Sequence, residues 1–389
     1  MSFPHSFKAL VYIYTSVFSF LLLLNIFSVG FRTSFYKTSD FVSYLMGARI
    51  VKDGAGKYLY NQAVQSFYQN RIVSYADRPF FLPYKTLPFT ALLYIPFTFL
   101  SIIDSYRLSI LFNLSLLAVF VFLVKRYSKS LFLALLATFS FYFIVPSILQ
   151  GQPSVLLLMV FWILFVLLKG NKSLLAGILC ALFMIKFQYL VCAPFIFIIV
   201  KNKFRFSLGF LFSVTCLMLL NFLISGPHFL SNYIFFLSKT ENRMYGSWPL
   251  DMYSIQYGFM RLLGSVKGSI LLSLVAYLGA VILVIKQVKK KVALELIFAP
   301  IMIFTLLFGY HVLGQDLILL LVPNILILTK TIGKKNLNAN LLTALTAFFY
   351  VIFPLTDGII NNWMSYLLLA FAFYVQAYSF SNLVEEERG

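Results

Sequence analysis

Asp40 stands in Thr38-Ser39-Asp40-Phe41, just beyond an apolar run that ends at Gly30. A carboxylate there can work as a general base at the headgroup plane, taking a proton from a hydroxyl. It also suits the N-cap of a helix beginning at Phe41, where backbone N–H groups need an acceptor; one residue can do both. Lys186 interrupts the apolar run Leu182-Phe183-Met184-Ile185-Lys186-Phe187-Gln188. An ammonium in such a run either snorkels to a nearby turn or finds an anion, and a phosphate is the partner that best justifies its cost. Gln150-Gly151-Gln152-Pro153 reads as a polar turn between two apolar runs, and its two amides also suit a hydroxyl-rich ligand. His311 and Asp316 share the turn Gly309-Tyr310-His311-Val312-Leu313-Gly314-Gln315-Asp316. Asp316 can cap a helix starting at Leu317, and a loop histidine is commonly just solvated, yet both are expected on the face that carries Asp40.

What is missing narrows the chemistry. There is no Asp-x-Asp pair to hold a metal–nucleotide, no glycine-rich phosphate loop and no zinc-protease motif. Neither a metal nor a cofactor is expected. Cys180, Cys192 and Cys216 lie inside apolar runs and read as core residues, without a disulfide or a zinc site. Asn171-Lys172-Ser173 matches a glycosylation sequon but falls in a basic hairpin on the opposite face, and is discounted.

The elements that must position these groups are membrane helices. Hydrophobic residues make up 61% of the chain and charged residues 11%, far from soluble averages. Backbone groups in lipid must be satisfied within their own segment, so the runs are helical. The expected fold is all-α, a polytopic bundle of about 12–13 transmembrane helices forming one integral-membrane domain over 1–389. The first run, Ala9 to Gly30, is too long for a signal peptide and lacks a small-residue cleavage pattern, so it reads as a retained span. Further spans are predicted near 107–124, 130–146, 155–168, 174–186, 188–200, 207–224, 267–286, 293–309, 316–329, 338–355 and 364–380.

The net charge of +19 collects in short hairpins: Lys125 to Lys129, Lys169 to Lys172, Lys201 to Arg205, Lys286 to Lys291, and Lys330 to Lys335. They mark the cytoplasmic side and suggest anionic lipid as a partner, not nucleic acid. No soluble stretch interleaves aromatic and basic residues as base-stacking surfaces do. The intervening stretches then face outward: a first outer loop over 31–83, a turn near Lys186, a second outer loop over 225–266, and Thr356 to Trp363. Segment 84–101, with Pro88 and Pro96, poses a parity problem. A crossing there would upset the sidedness of the hairpins, so it reads as a bent, partly re-entrant segment beside the site. Within the first loop, Phe41, Tyr44, Leu45, Ala48 and Val51 recur at helical spacing, as do Val64, Phe67, Tyr68 and Ile72. Both segments are expected to lie flat on the membrane with an apolar underside. Phe229, Tyr233, Ile234 and Leu237 repeat the pattern in the second loop.

The order Asp40-Phe41 with Tyr44 and Ala48, then Gly56-Lys57-Tyr58-Leu59-Tyr60, resembles the first outer loop of glycosyltransferase family 87. Gly151-Gln152, Ala176-Gly177 with Lys186 beyond, and His311 to Asp316-Leu317 are similar to that family in order and spacing. The chain departs from it at Leu82-Pro83-Tyr84-Lys85, where Tyr-Pro-Pro is usual, and at Lys186-Phe187, where Lys-Pro is usual. The resemblance implies a membrane-embedded GT-C enzyme, with polyprenyl-phosphate-mannose-dependent α-mannosyltransferases among its relatives. It implies Asp40 as the catalytic base and His311 near the donor phosphate. Lys186, Gln150, Gln152, Asp316 and Arg49 follow as donor-phosphate or substrate-binding residues from position. The expected reaction is an inverting transfer of a hexose such as mannose, or a pentose, from a polyprenyl-phosphate donor. The acceptor would be a lipid-linked or cell-envelope glycan at the outer face of the cell membrane. A transporter or flippase of lipid-linked sugars would explain the spans and basic face equally well, but needs no long loop with one exposed acid. A polysaccharide polymerase would instead join preformed repeat units.

Overall fold

The computed structural model describes residues 5–32, 34–78, 80–128, 131–241, 252–331, 338–346 and 363–386, and every regular element among them is helical. The membrane-length helices are α1 (His5–Gly30), α5 (Ile102–Ser128), α11 (Lys203–Ser225), α14 (Val266–Lys289) and α18 (Met364–Glu386). Shorter apolar helices stand among them: α6 (Leu131–Phe139), α7 (Ile144–Leu149), α8 (Ser154–Lys169), α15 (Leu294–Phe308) and α16 (Leu321–Thr331). A 3-10 stretch, Gly314–Leu320, leads into α16. The predicted span 130–146 is broken between α6 and α7, whereas Gly314–Leu320 continues into α16 as one apolar run over the predicted span 316–329. The chain is a multi-pass membrane protein: by length and composition five runs among the described residues can cross a bilayer, α5, Ser173–Ile199, α11, α14 and Gly314–Thr331. Their outward surface fits lipid, since Leu208, Leu211, Phe212 and Leu223 of α11 and Leu271, Leu274 and Val275 of α14 are all exposed. In contrast, α15 is buried from Glu295 to Leu307 and forms the centre.

Two ends of the bundle are marked by side chains. At the basic end, Glu295 accepts from Tyr127 at 2.8 Å and Lys169 at 2.7 Å, and pairs with Lys330 at 3.5 Å. This joins the ends of α5, α8, α15 and α16. At the opposite end, Gly30 meets Ile110 and Leu149, and Arg107 donates to Phe31 O at 3.3 Å.

The run Ser173–Ile199 has the length of one span, 27 residues. A straight helix of that length would be about 40 Å long. Yet the backbone N–H of Asn202, just beyond its end, donates to Ser173 Oγ at its start, at 3.3 Å. The run is a hairpin: α9 (Ser173–Ala181) rises, Leu182–Cys192 turns, and α10 (Ala193–Ile199) returns. Lys186 sits at the break, with non-helical φ −127° and ψ 91°. Helix α11 closes on α9 because Gly177 and Gly209 face its neighbour's backbone; a Cβ at either would lie 2.1–2.2 Å from a carbonyl oxygen. Segment 84–101 also turns back. It forms α4 (Pro88–Leu92) and a short 3-10 stretch, Ile95–Phe99, and its flanks lie at the same end.

The loop helices differ from expectation. In α2 (Phe41–Lys52), Phe41 through Ala48 are all buried, so it is an interior helix and not a surface one. In α3 (Gln62–Ile72), the buried stripe is Gln65, Gln69 and Ile72, while Phe67 points outward. The reason is hydrogen bonding: Gln65 and Gln69 clamp the extended segment after Arg78. Gln65 donates to Leu59 O and accepts from Tyr84 N at 2.9 Å; Gln69 donates to Phe80 O and accepts from Leu82 N at 2.9 Å. In α12 (Phe229–Thr240), Phe229, Tyr233 and Phe236 are buried and Ile234 is exposed. A short helix, α13 (Ile255–Leu263), precedes α14, and residues 338–346 form α17. Part of the second outer loop (242–251), Lys334 and Lys335, most of the predicted span 338–355, and 356–362 lie outside the described residues.

Candidate active site

Three stretches of chain converge on residue 40. The turn after α7 presents Gln150 and Gln152 on either side of Gly151, whose φ is +63°. A Cβ on Gly151 would lie 2.8 Å from the Cβ of Phe41, so only glycine lets this turn close on the start of α2. From there Gln150 Oε1 accepts from the Asp40 backbone N–H at 2.9 Å, and Gln152 Nε2 donates to Asp40 Oδ2 at 2.5 Å. Gln315 Nε2 approaches the same oxygen at 3.4 Å. Asp40 occupies the N-cap position of α2, but its side chain makes no cap hydrogen bond. It turns instead into an open cavity. Among the described residues, its Oδ1 receives no hydrogen bond from the protein.

The Gln152 amide is oriented by what lies behind it. Its Oε1 accepts from Lys186 Nζ, which also donates to Asp316 Oδ1 and, at 3.3 Å, to Ser154 Oγ. Ser154 Oγ and the Leu313 N–H each donate to Asp316 at 3.1 Å. Asp316 is 1% exposed and Lys186 5%. An ammonium has three hydrogens, and those of Lys186 have three partners. Lys186 therefore lines the cavity as part of a buried relay, Asp316 to Lys186 to Gln152 to Asp40.

Arg78 supports the chain just before Asp40. It is 2% exposed, and its guanidinium donates to Ser39 O at 3.1 Å and Thr38 O at 3.3 Å. Burial lowers its pKa to about 10, which leaves it protonated at neutral pH. Burial raises the Asp40 pKa above its ordinary value, against the Gln152 hydrogen bond and the charges of Lys186, Arg78 and His311. The result is a more basic carboxylate than a solvated one, as proton abstraction needs.

The same cavity carries a second charged group. Lys85 Nζ lies 3.2 Å from Glu241 Oε1 and donates to Thr240 O at 2.8 Å. Glu241 Oε2 lies 3.3 Å from His311 Nδ1. Burial opposes the Glu241 charge, but His311 and Lys85 hold its pKa down to about 2. Lys85 is kept in place by the glutamine clamp on Tyr84, by Ser43 Oγ donating to Pro83 O at 2.9 Å, and by Tyr233 OH donating to its own carbonyl at 3.1 Å. Gln188 Nε2 donates to His311 O at 2.9 Å, tying this group to the Lys186 hairpin.

The structure thus gathers Asp40, Gln150, Gln152, Lys186, His311 and Asp316 at one end of the bundle. It does not bring Arg49 there: that side chain is half-buried on α2, near Asp53 and Arg71, and does not line the cavity. Lys85, Glu241, Arg78, Ser154 and Gln315 join the site without a sequence motif to mark them. Glu241 carried one usable signal, an acid at a helix C-terminus, where the dipole disfavours it unless a cation is near. Among the described residues, no three His, Cys, Asp or Glu side chains gather as metal ligands would.

An apolar helical bundle whose buried carboxylate opens into a polar cavity at one end has the build of a multi-pass membrane enzyme. The family model of glycosyltransferase family 87 matches residues 87–308, more than half of the chain, and the chain belongs to that family. It is accordingly a membrane glycosyltransferase. The matched stretch contains Gln150, Gln152, Lys186 and Glu241; Asp40, Lys85, His311 and Asp316 lie outside it. Neither a curated protein nor a solved structure matches the chain.

Proposed function

We propose that the protein transfers a sugar, a hexose such as mannose or a pentose, from a polyprenyl monophosphate to a hydroxyl of a lipid-linked or cell-envelope glycan. The cavity would face the exterior of the cell membrane. The observation that carries this reading is the state of Asp40: one carboxylate oxygen is held by Gln152, and the other is open to the cavity. Oδ1 takes the proton of the acceptor hydroxyl. The freed oxygen forms a bond to the anomeric carbon as the bond from that carbon to the phosphate oxygen breaks. Polyprenyl phosphate leaves with the electron pair, and in-line attack inverts the anomeric centre. Lys186 and Asp316 act by holding Gln152, and so the carboxylate, in place. His311, when protonated, offsets charge on the phosphate. The apolar surround of the cavity limits water and suppresses donor hydrolysis.

Asp40→Asn keeps the size of the side chain and removes the base. It should lower sugar transfer by about 10²–10⁴-fold while leaving melting temperature and donor binding nearly unchanged. The assay is release of polyprenyl phosphate by purified protein. Near-wild-type turnover in the variant would refute the role of Asp40. If the wild-type protein moves labelled lipid-sugar across vesicles yet never releases polyprenyl phosphate with a panel of donors and acceptors, the flippase reading replaces this one.

A further inference from the structure

The cavity that Asp40 lines also holds charges that the acid–base step does not use. Lys85 and His311 both approach Glu241, on different carboxylate oxygens. The side chains of Lys85 and Glu241 are 17% and 11% exposed, so these charges are only partly screened by solvent. All three line the same cavity as Asp40. A single cation would attract any phosphate, whereas here two stand with a carboxylate set between them.

We propose that Lys85, Glu241 and His311 form an anion seat whose charge is set by Glu241 to accept a lipid phosphodiester and to disfavour more highly charged lipid phosphates. The proposal rests on the lipid-phosphate donor described above and names what selects it. A sugar joined to a lipid through one phosphate is a diester with a single negative charge. A lipid monophosphate carries about 1.5 to 2 negative charges near neutral pH, and a lipid diphosphate at least as many. The Glu241 carboxylate offsets part of the positive charge of this seat, which favours the singly charged diester over the monoester. The product of transfer is the monoester, which this seat fits less well than a doubly positive one would. Glu241 thereby sets donor class and eases product release together. Lys85 ends Leu82-Pro83-Tyr84-Lys85, the stretch where the chain departs from the family's usual Tyr-Pro-Pro.

The test measures binding, without turnover, on purified full-length protein in nanodiscs. The probes are a polyprenyl methyl phosphodiester, the polyprenyl monophosphate and the uncharged polyprenol. Glu241→Gln should strengthen monophosphate binding more than diester binding, raising the ratio of the two affinities about tenfold, the order expected for one charge in a partly buried site. Lys85→Met should weaken both and lower that ratio. The double variant Lys85→Gln/Glu241→Gln has the wild-type net charge and should return the ratio to within about twofold. Polyprenol binding should be the same in all. These directions hold whether or not His311 is protonated. Unchanged ratios across the variants, or loss of polyprenol binding in step with the phosphates in Lys85→Met, would overturn the seat. If Glu241→Gln does not fold, Lys85→Met and the charge-conserving double variant decide. A protein that binds as stated but transfers no sugar refutes the enzymatic mechanism and leaves the seat standing; transfer with unchanged ratios refutes the seat alone.

Discussion

Lys186→Met separates a lysine that holds a phosphate from one that holds the site together. Methionine keeps much of the apolar stem and removes the charge. In the structure the charge is opposed by Asp316, a carboxylate only 1% exposed. Taking away one member of a buried pair typically costs about 3–5 kcal/mol, because the other is left uncompensated. Asp316 would keep its hydrogen bonds from Ser154 and the Leu313 N–H. Those two bonds place the expected loss near the lower bound, about 3 kcal/mol. For a chain of this length that corresponds to a fall in melting temperature of roughly 3–6 °C. The second variant, Lys186→Met/Asp316→Asn, removes both charges and should recover most of the loss. The assay is thermal unfolding in detergent followed by tryptophan fluorescence, with transfer activity measured in parallel. Activity should fall in both variants, since Gln152 loses the ammonium that orients it. A single variant that melts within about 1 °C of wild type, or a double variant less stable than the single, would refute the buried-relay account. The first of these, joined to weaker binding of polyprenyl phosphate, would return Lys186 to the role of phosphate ligand.

Gly151→Ala should lower transfer by about tenfold or more, because a Cβ 2.8 Å from Phe41 must push Gln150 and Gln152 away from Asp40; wild-type kinetics in the variant would mean the turn relaxes freely. Glu241, whose pKa is held down to about 2 from 4.5, contributes stability that is fully present above pH 4.5 and is lost as pH falls toward 2. Acid unfolding of wild type in that window should therefore be steeper than that of Glu241→Gln, and identical pH profiles would contradict it. With Cys180, Cys192 and Cys216 replaced, cysteines at Asp53 and Ser74 should react with an impermeant reagent from outside, and cysteines at Lys172 and Lys290 should not; the reverse pattern would invert the proposed orientation.

The site was legible where a polar residue broke an apolar run. Lys186, Gln152, Asp316 and Asp40 stand out because a buried polar group in such a chain requires a partner, and here the partners prove to be one another. Lys85 was hidden among 31 basic residues, and nothing local distinguishes it from a hairpin lysine. Its place depends on Gln65 and Gln69, two residues whose spacing suggests a solvated helix face and whose contacts are with a distant strand-like segment. Arg49 failed because helical periodicity says which residues share a face, not which neighbour that face meets. The same gap explains α2: its apolar spacing read as a membrane-surface helix, while the re-entrant segment and the Gln150 turn cover its other sides. The helical fold followed from apolar run length, but the Ser173–Ile199 hairpin and a single straight span have the same composition, and only tertiary contacts tell them apart.

Glu295 has a mechanical consequence. It draws together the last residues of α5, α8 and α16 at the first turn of α15, and separating any of them would strand a carboxylate that is 5% exposed. At the opposite end Asp316, 1% exposed, plays the same part: it accepts from Lys186 of the hairpin, from Ser154 at the start of α8 and from the Leu313 N–H. Helix α8 and the run from Gly314 into α16 are thus pinned at both ends by a buried carboxylate. Spreading these helices at either end would strand a buried carboxylate, so the lipid-borne substrate proposed above is admitted most cheaply by movement of the cavity's other lining, the segment Leu82–Thr86 and the end of α12.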